Sequence, residues 1–494
     1  MVSTSKSRQS QISAWESPHW RTQRERTAIG RAQLSMPARL ATEDGVLGDC
    51  GSILDYGSGR GHDVERLAEM GRSATGWDPY FDFHRTPTPA DAVLLTYVLN
   101  VIEDIDERRS TLQQAWELAR RLLVVSARLT WDARKVRGDE YDDGLVTSRG
   151  TFQHLFKPSE LRNLVTDITG VRCVAAAPGV VYAFKNDRDR LKYLAYRTLP
   201  DYQWARIAGA DEALSAVTQF AEANGRLPIR EEFPTANLQA LGQLSPQEMS
   251  RLVKAAADPE LVAQGAKQTT LNTLLYLGIE LFNGRGPYGS LPPTVKVNIR
   301  RFFGSYREAC RRADRLLLKL RDDTYVRGAM RNSAGKMTPT ALYVHRRAVP
   351  SMPVVLRLYE HCGAIAAGRP ADYTVLKLHH DKRAVSWLGY SDFDTDPHPR
   401  TDWSYQVAFP EMETSYIDYS SRSNRPLLHR KEEFLAADDP DRPKYERLTR
   451  AEVKAGLYTN PAVIGTEKGW ESELARCGVA LRGHRLVKSL RNQG

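Results

Sequence analysis

Hydrophobic and polar positions follow different rhythms along the chain, and the changes of rhythm predict four regions. Residues 1–45 form a basic, mostly polar arm that ends in a predicted helix. Residues 46–190 alternate short apolar runs with helical periodicity, which is typical of an α/β domain. Residues 191–334 have mainly helical periodicity, and residues 335–494 mix helical stretches with strand-like runs. We therefore predict an α/β domain, a mainly helical domain and a mixed α+β C-terminal domain.

Within the α/β region, apolar runs predict a series of buried strands linked by helices. Strands are predicted at Ser52–Tyr56, Ser73–Trp77, Ala92–Val98 and Leu122–Ser126, an amphipathic helix at Arg108–Arg121, and an antiparallel pair turned at Pro178-Gly179 within Val174–Phe184. Only about a dozen residues separate Asp78 from Asp91, too few for a further helix, strand and helix. We therefore expect the sheet to be shortened by that strand and the wall that faces the adenine to be abbreviated.

The sharpest chemical signal is the turn after the first strand, with the sequence DYGSGRG. Gly57, Gly59 and Gly61 alternate there before helical spacing resumes. Glycines at a strand-to-helix turn let the backbone approach a ligand closely. The second strand ends at Asp78, an acidic residue placed to bind the ribose hydroxyls of a nucleoside. Together with Asp55 inside the first strand, these features predict a nucleoside-binding site.

The turn lacks the G-x-x-G spacing of a pyrophosphate-binding fingerprint and resembles the first motif of class I S-adenosylmethionine-dependent methyltransferases, which have a Rossmann-like fold. The resemblance implies that Asp55 lies near the methionine amino group and that Asp78 holds the ribose. Trp77 and Tyr80 are candidates for apolar contact with the base, although both could equally be core residues. The predicted cofactor-binding residues are Asp55, Gly57, Ser58, Gly59, Gly61, Trp77, Asp78, Tyr80, Tyr97 and Val98.

The acceptor of a methyl group is not evident from the residues. The Asp/Asn/Ser-Pro-Pro-aromatic signature of amino-methyltransferases does not follow the strand ending near Val98, and no Pro-Cys pair occurs. Polar candidates for catalysis near the predicted pocket are Asn100, Glu103 and His154, each of which could instead have a structural role.

Charge is focused in two segments. The chain of 494 residues has a net charge of +10. Residues 1–39 carry seven basic and two acidic side chains, and residues 300–322 carry eight and three. Such focused charge favours a polyanionic partner such as DNA or RNA, although two solvated helix faces would give the same pattern. Five dispersed cysteines, no long apolar stretch and no apolar leader predict a cytoplasmic protein without a disulfide framework or a membrane span.

The helical region contains two pieces that resemble small DNA-binding repeats attached to homing endonucleases. These are the stretch Gly225–Pro228 (GRLP) and the tripeptide Phe303–Ser305 (FGS). Basic residues surround the second piece and would contact phosphates, unless the helices form a linker bundle whose arginines face water. The predicted nucleic-acid contacts are Arg300, Arg301, Arg307 and Arg311.

The C-terminal region is rich in histidine and aspartate. Asp392, Asp394, Asp396 and His398 alternate in one stretch, but the glycine and distal glutamate of a calcium loop are absent. Asp-Pro and His-Pro pairs are ordinary turn formers. We predict a polar loop network and no metal site.

Several separate blocks in the same order resemble the DNA phosphorothioation-associated methyltransferase family over nearly the whole chain. These blocks read RERTAIGRAQLSMPARLA, DYGSGRGHDV, GWDPY, YVLNVIED, LVVSARL, RGTFQ and SNRPLLHRKEEF. Ser58 departs from the family, which more often has Cys there. The resemblance implies a class I methyltransferase domain with a long C-terminal extension, using S-adenosylmethionine and linked to DNA-modification systems. Two alternatives remain: a nucleic-acid-binding accessory protein that binds the cofactor without turnover, and a methyltransferase for a small molecule or protein.

Overall fold

A computed structural model describes residues 22–28, 30–82, 84–199, 210–234, 237 and 245–489. It divides into two compact units. The first comprises Met1–Asp187 with Ala364–Ala371, and the second comprises Arg188–Gly363 with Asp372–Gly494. In the described residues, no helix is both long enough and apolar enough to cross a membrane.

The first unit is built on a six-stranded sheet with the order β2-β1-β3-β4-β9-β8. Its strands are β1 (Ile53–Tyr56), β2 (Ala74–Trp77), β3 (Ala90–Thr96), β4 (Ala119–Ser126), β8 (Val174–Ala177) and β9 (Val180–Phe184). A three-stranded sheet contains β5 (Gly138–Tyr141), β6 (Gly144–Thr147) and β7 (Phe152–Gln153). The helices are α1 (Met36–Glu43), α2 (His62–Glu69), α3 (Ile105–Leu118) and α4 (Pro158–Thr169).

The central strands of this sheet are parallel, and the last two are antiparallel. β1 pairs in parallel with β2 and β3, and β3 pairs in parallel with β4. β9 then runs antiparallel to both β4 and β8. The residues of β1, β4 and β9 are largely buried on both faces, as expected when helices cover a mostly parallel sheet. The sheet is of the Rossmann-like α/β type, which confirms the predicted fold class for this unit.

The predicted shortening of the sheet is confirmed, because the described residues between β2 and β3 form no further strand or helix. Several boundaries differ from the prediction, and those of one helix have a clear physical cause. The helix predicted at Arg108–Arg121 begins earlier, at Ile105, because the Asp104 carboxylate accepts a hydrogen bond from the Glu107 amide and caps it. It also ends earlier, because Ala119 is already extended and pairs with Ala90.

The second unit contains a helical part followed by an antiparallel sheet. Its helices are α5 (Asp187–Thr198), α6 (Ala210–Asn224), α7 (Pro246–Ala256), α8 (Pro259–Phe282), α9 (Pro293–Phe303), α10 (Tyr306–Leu318), α11 (Asp323–Arg331), α12 (Val354–Ala367), α13 (Arg442–Lys454) and α14 (Glu467–Cys477); α5 begins, and α12 ends, with residues of the first unit. Its strands are β10 (Lys336–Met337), β11 (Ala341–His345), β12 (Val375–His379), β13 (Ala384–Gly389), β14 (Trp403–Ala408), β15 (Glu413–Asp418), β16 (Val479–Leu481) and β17 (Leu486–Lys488).

Strands β10 to β15 form one antiparallel meander in chain order, with α12 inserted between β11 and β12. The inward residues of β12 and β13 are fully buried, including Leu376, Val385 and Trp387.

Candidate functional site

The turn between β1 and α2 brings the backbone to the carboxyl edge of the sheet. Gly57 and Gly59 have φ angles of +85° and +53°, where side chains are strained. A Cβ atom on Gly57 would lie 2.5 Å from Cγ2 of Val98. The amides of Gly57 and Ser58 donate hydrogen bonds to the carbonyl oxygen of Trp77. The glycines therefore let the turn after β1 pack closely against Trp77 and Val98 without placing side chains of their own over the end of β1.

Asp55 is the chemically most unusual residue of this edge. Its side chain is 3% exposed, and its Oδ1 atom has no hydrogen-bond partner among the described residues. Burial, reinforced by the nearby charges of Asp63 and Asp78, raises the pKa of Asp55 to about 8, although Arg31 opposes the shift. A buried carboxyl oxygen without a partner is costly unless a ligand supplies a donor.

Asp78 follows the end of β2 and organises the loop beside it. Its Oδ2 atom accepts a hydrogen bond from the Gly59 amide at 2.9 Å. Its Oδ1 atom accepts from the amides of Tyr80 (2.9 Å) and Phe81 (3.2 Å). Each oxygen has more than one lone pair, so this carboxylate can still accept hydrogen bonds from hydroxyl groups of a ligand.

These groups line one cavity. Its walls come from the glycine turn, the residues after β2, the end of β3 and an N-terminal segment that we call the strap, defined as residues 22–28 and 30–31. The lining residues are Arg24, Glu25, Thr27, Ala28, Arg31, Asp55, Tyr56, Gly57, Ser58, Gly59, Arg60, His62, Asp63, Asp78, Pro79, Tyr80, Phe81, Thr96, Tyr97, Val98, Val101 and Ile102.

The two aromatic residues predicted to contact the base have different positions. Tyr80 is 52% exposed at the cavity and stands edge-to-face with Phe81, whose ring centroid is 5.0 Å away. Trp77 is not among the lining residues, because its ring packs against Tyr56, 4.7 Å away, and its indole N–H donates to the Arg85 carbonyl. The prediction for Trp77 is therefore corrected to a core residue, and Phe81 takes its place at the cavity.

The end of β3 also contributes to the cavity. Tyr97 has a φ of +59°, and burial raises the pKa of its hydroxyl. A tyrosine with positive φ is strained, and such strain occurs often at functional sites. Val98 lines the cavity beside it, whereas Gly61 does not; Gly61 instead begins α2 in a left-handed conformation.

None of the three predicted catalytic residues lines the cavity. The Asn100 amide is buried and donates to Gln153. Glu103 is also buried, and Arg24 donates a hydrogen bond to its carboxylate. The interactions found for these two residues are structural, and those of the third are described next.

His154 is held on both sides of its ring. Nδ1 lies 2.6 Å from the carbonyl oxygen of Asp143, and Nε2 lies 3.1 Å from Oε1 of Glu160. Against the opposing effect of burial, the pKa of Asp143 is lowered mainly by its hydrogen bond with Arg108, and the pKa of Glu160 mainly by its hydrogen bond with His154. His154 therefore joins β7 to neighbouring elements and is not placed to touch a ligand in the cavity.

Several lining residues are not predicted from the sequence, namely Arg24, Arg31, His62, Asp63 and Thr96. The arginines were interpreted only as part of a basic arm. The Ser35 amide, at the start of α1, donates a hydrogen bond to the Asp63 carboxylate and so places the arm against α2. That link joins residues 28 positions apart, which periodicity does not reveal.

The predicted nucleic-acid residues lie on α9 and α10 in the second unit, on exposed surface. Arg300 donates to the hydroxyl of Tyr288, and Arg311 is ion-paired with Glu308 at 2.6 Å. Arg301 and Arg307 have no hydrogen-bond or ion-pair partner among the described residues. The segment therefore offers exposed guanidinium groups, of which Arg311 is partly neutralised.

The GRLP piece has a structural function. The Arg226 side chain is 3% exposed, donates to Asn298 and forms a bidentate pair with Glu232. A Cβ atom on Gly225 would lie 2.2 Å from Cα of Ala266 in α8. Both residues therefore hold the helices of this region together.

The C-terminal Asp/His stretch forms a polar network, as predicted. Arg400 contacts Asp392 and Asp396, each at 3.4 Å, and the His398 ring lies 2.7 Å from the buried Glu452 carboxylate. Among the described residues, no group of three or more His, Cys, Asp or Glu side chains is arranged to hold a metal ion.

The fold and the cavity define the first unit as a Rossmann-like α/β domain with a crevice at the carboxyl edge of its parallel strands. Neither a comparison with protein-family models nor one with curated protein sequences gives a match. The resemblance to the DNA phosphorothioation-associated family therefore stays a prediction.

Solved structures do show similarity. Magnesium protoporphyrin IX methyltransferase from Synechocystis PCC 6803, with bound SAM, is 16% identical over 33% of this chain and 90% of its own, with a TM-score of 0.22. An amino pentose methyltransferase from Micromonospora echinaspora is 14% identical over 33% of this chain and 94% of its own (TM-score 0.23). Human N-acetylserotonin methyltransferase is 19% identical over 31% of this chain and 52% of its own (TM-score 0.22).

Proposed function

We propose that the first unit binds S-adenosylmethionine and transfers its methyl group to an acceptor. The observation that carries this proposal is the buried Asp55 carboxyl, whose Oδ1 atom lacks a partner, in a crevice beside a glycine turn. An ammonium group of the ligand would supply the missing donor and favour the ionised carboxylate. Asp78, one strand away, accepts hydrogen bonds from the ribose hydroxyls of the same molecule.

The remaining walls suit the other parts of this ligand. Gly57 and Gly59 leave the backbone accessible to it, and the half-exposed pair Tyr80 and Phe81 offers ring faces to the adenine. When bound, S-adenosylmethionine supplies a methyl carbon that a nucleophile attacks in line while the carbon–sulfur bond breaks. The contribution of the chain is to align and desolvate the groups.

Isothermal titration calorimetry tests the binding step. We expect both S-adenosylmethionine and S-adenosylhomocysteine to bind with 1:1 stoichiometry, and Asp55→Ala and Asp78→Ala to weaken both strongly. Asp139→Ala, an exposed residue of β5, removes the same charge outside the cavity and should bind as the parent does. A parent protein that takes up neither compound would refute the proposal.

We further propose that the acceptor lies on DNA, within a DNA-modification system that works with further protein partners. Support comes from the exposed arginines of α9 and α10, particularly Arg301 and Arg307, and from the family resemblance in the sequence. Exposed guanidinium groups suit the phosphates of a nucleic acid.

Methyl transfer is tested with isotopically labelled S-adenosylmethionine and DNA or RNA, followed by mass spectrometry of the nucleosides. DNA with and without phosphorothioate linkages is used. We expect label in DNA, and none with Asp78→Ala. DNA binding without label in any nucleoside would favour the accessory-protein alternative, while absence of DNA binding would favour a small-molecule or protein acceptor.

A further inference from the structure

The strap is fastened to the cavity wall by a buried ion-pair network. Arg24 donates from Nε to Glu103 at 2.9 Å and from Nη2 to Glu107 at 2.7 Å. The Thr22 hydroxyl donates to the same Glu103 carboxylate at 3.0 Å, and the Gln23 amide donates to a backbone carbonyl at residue 150. Arg24 is only 9% exposed. These bonds hold the strap over the crevice and satisfy the charge of Arg24.

The strap continues directly across the glycine turn. A Cβ atom on Gly59 would lie 3.0 Å from the Cβ atom of Ala28. Five strap residues line the cavity, namely Arg24, Glu25, Thr27, Ala28 and Arg31. One wall of the crevice thus consists of a segment far in sequence from the β1–α2 turn.

Arg31 differs from the other cations of this cavity. Arg24 is bonded to two carboxylates, and Arg60 is exposed to solvent. Arg31 is half-buried, its guanidinium lies 5.5 Å from the centroid of the Tyr97 ring, and it has no hydrogen-bond or ion-pair partner among the described residues. Its donors are therefore available to an anionic group in the cavity.

Arg31 presents a guanidinium cation, and Asp55 a carboxyl group that an ammonium ligand would ionise, to the same space. The positive charge of Arg31 acts to lower the pKa of Asp55, yet no hydrogen bond or ion pair joins the two side chains. A cation and a carboxylate that face one cavity without being bonded to each other match the two charges of an α-amino acid. The ammonium of such a ligand suits Asp55, and its carboxylate suits the planar, two-pronged guanidinium of Arg31.

We propose that Arg31 binds the α-carboxylate of the amino-acid part of the nucleoside ligand and thereby makes the site select nucleosides that carry a complete α-amino acid. The inference rests on the proposed function, because it assigns one end of the same ligand. Arg31 supplies selectivity from the strap, while Asp78 binds the ribose irrespective of what the sulfur carries.

Calorimetry on the full chain tests the proposal with three ligands that differ stepwise in their amino-acid part. S-adenosylmethionine has both charged groups, decarboxylated S-adenosylmethionine lacks the carboxylate, and 5′-methylthioadenosine lacks the amino-acid part. The parent protein should prefer S-adenosylmethionine over the decarboxylated compound at least tenfold. Arg31→Gln should bring this ratio close to one and leave the affinity for 5′-methylthioadenosine unchanged.

Further variants separate charge, geometry and folding. Arg31→Lys keeps the charge but not the two-pronged geometry of the guanidinium, so the preference for S-adenosylmethionine over the decarboxylated compound should be intermediate. Asp55→Asn should weaken both amine-containing ligands while keeping the preference for the carboxylate. Arg39→Gln removes an equal charge from α1, where the side chain is 55% exposed and outside the cavity, and should keep the parental ratio.

Two results would overturn the proposal. One is an Arg31→Gln protein that retains the parental ratio. The other is an equal loss for all three ligands, including 5′-methylthioadenosine, which would mean that Arg31 only supports the fold of the strap. A parent protein that binds none of the three nucleosides would instead refute the proposed function itself.

Discussion

The arginines of the strap and the arginines of α9 and α10 contribute alike to the net charge but differ in their surroundings. Arg24 is buried and bonded to two glutamates, and Arg31 faces a cavity beside Asp55. Arg301 and Arg307 are exposed on helices of the second unit. The contrast teaches that a local excess of positive charge does not define its partner. Burial and neighbouring carboxylates decide whether an arginine builds a site or remains available to a polyanion.

The largest effect should come from breaking the strap network. Arg24→Met removes the cation from two glutamates, one of them buried, and should destabilise the first unit by about 3 kcal/mol. Hydrogen exchange of the β1–β4 amides measures this free energy. Arg301→Met, the matched exposed control, should change the stability by less than about 0.5 kcal/mol. Equal effects of both substitutions would abolish the distinction between the two regions.

The pH dependence of ligand binding tests the electrostatics of the strap side. The pKa of Asp55 is raised to about 8 by burial and by Asp63 and Asp78, against the influence of Arg31. Because an ammonium group binds the ionised carboxylate, the affinity for S-adenosylhomocysteine should rise between pH 6 and 8. The rise should approach tenfold per pH unit, with proton release detectable by calorimetry in buffers of different ionisation enthalpy.

Removing the carboxylate should remove this dependence. Asp55→Asn should bind more weakly, with an affinity that hardly changes over the same pH range. In the ligand-free protein the effect on stability has the opposite sign. Since the folded-state pKa exceeds the unfolded value, the folded state holds the extra proton, and this contribution to stability falls as the pH rises from about 4 to 8. An Asp55→Asn protein that keeps the parental profile would contradict this assignment.

For the exposed arginines of α9 and α10, the salt dependence of DNA binding is the informative measurement. Removing two phosphate contacts with Arg301→Gln and Arg307→Gln should reduce the slope of log affinity for DNA against log salt by about 2. Binding of S-adenosylhomocysteine should not change. Arg447→Gln, an exposed residue of α13, serves as control for the loss of charge. An unaltered slope would remove α9 and α10 from the proposed interface.

The smallest predicted effect concerns the aromatic wall. Tyr80→Ala should weaken S-adenosylhomocysteine and 5′-methylthioadenosine by the same factor of about 2–10, because ring contacts contribute about 0.5–1.5 kcal/mol. Trp77→Phe, in the core beneath Tyr56, should change the affinity less than it changes stability. If only S-adenosylhomocysteine were weakened, Tyr80 would belong to the amino-acid end instead of the base.

The features that the sequence predicted well are local ones. The glycine turn, Asp55 and Asp78 lie within two adjacent strand ends, so the parallel pairing of β1 with β2 brings them together directly. The shortened sheet followed from the small number of residues available. Predictions of this kind need only strand positions and their direction.

Predictions that depended on side-chain direction or on distant contacts were less successful. Trp77 pairs with Tyr56 across β1 and β2, so its ring covers a sheet face. Asn100 lies near the end of β3 as expected, but its amide turns to Gln153, 53 residues away. The strap reaches Glu103 over 79 residues through Arg24. Periodicity describes which residues are buried and does not reveal which distant residue receives a charged side chain.

A crystal structure of the full chain with S-adenosylhomocysteine tests the central claim most directly. We expect the ammonium within hydrogen-bond distance of Asp55, the α-carboxylate on the guanidinium of Arg31 and both ribose hydroxyls at Asp78. Density for the ligand elsewhere, or an empty crevice in crystals grown at saturating ligand, would contradict the assignment of this cavity.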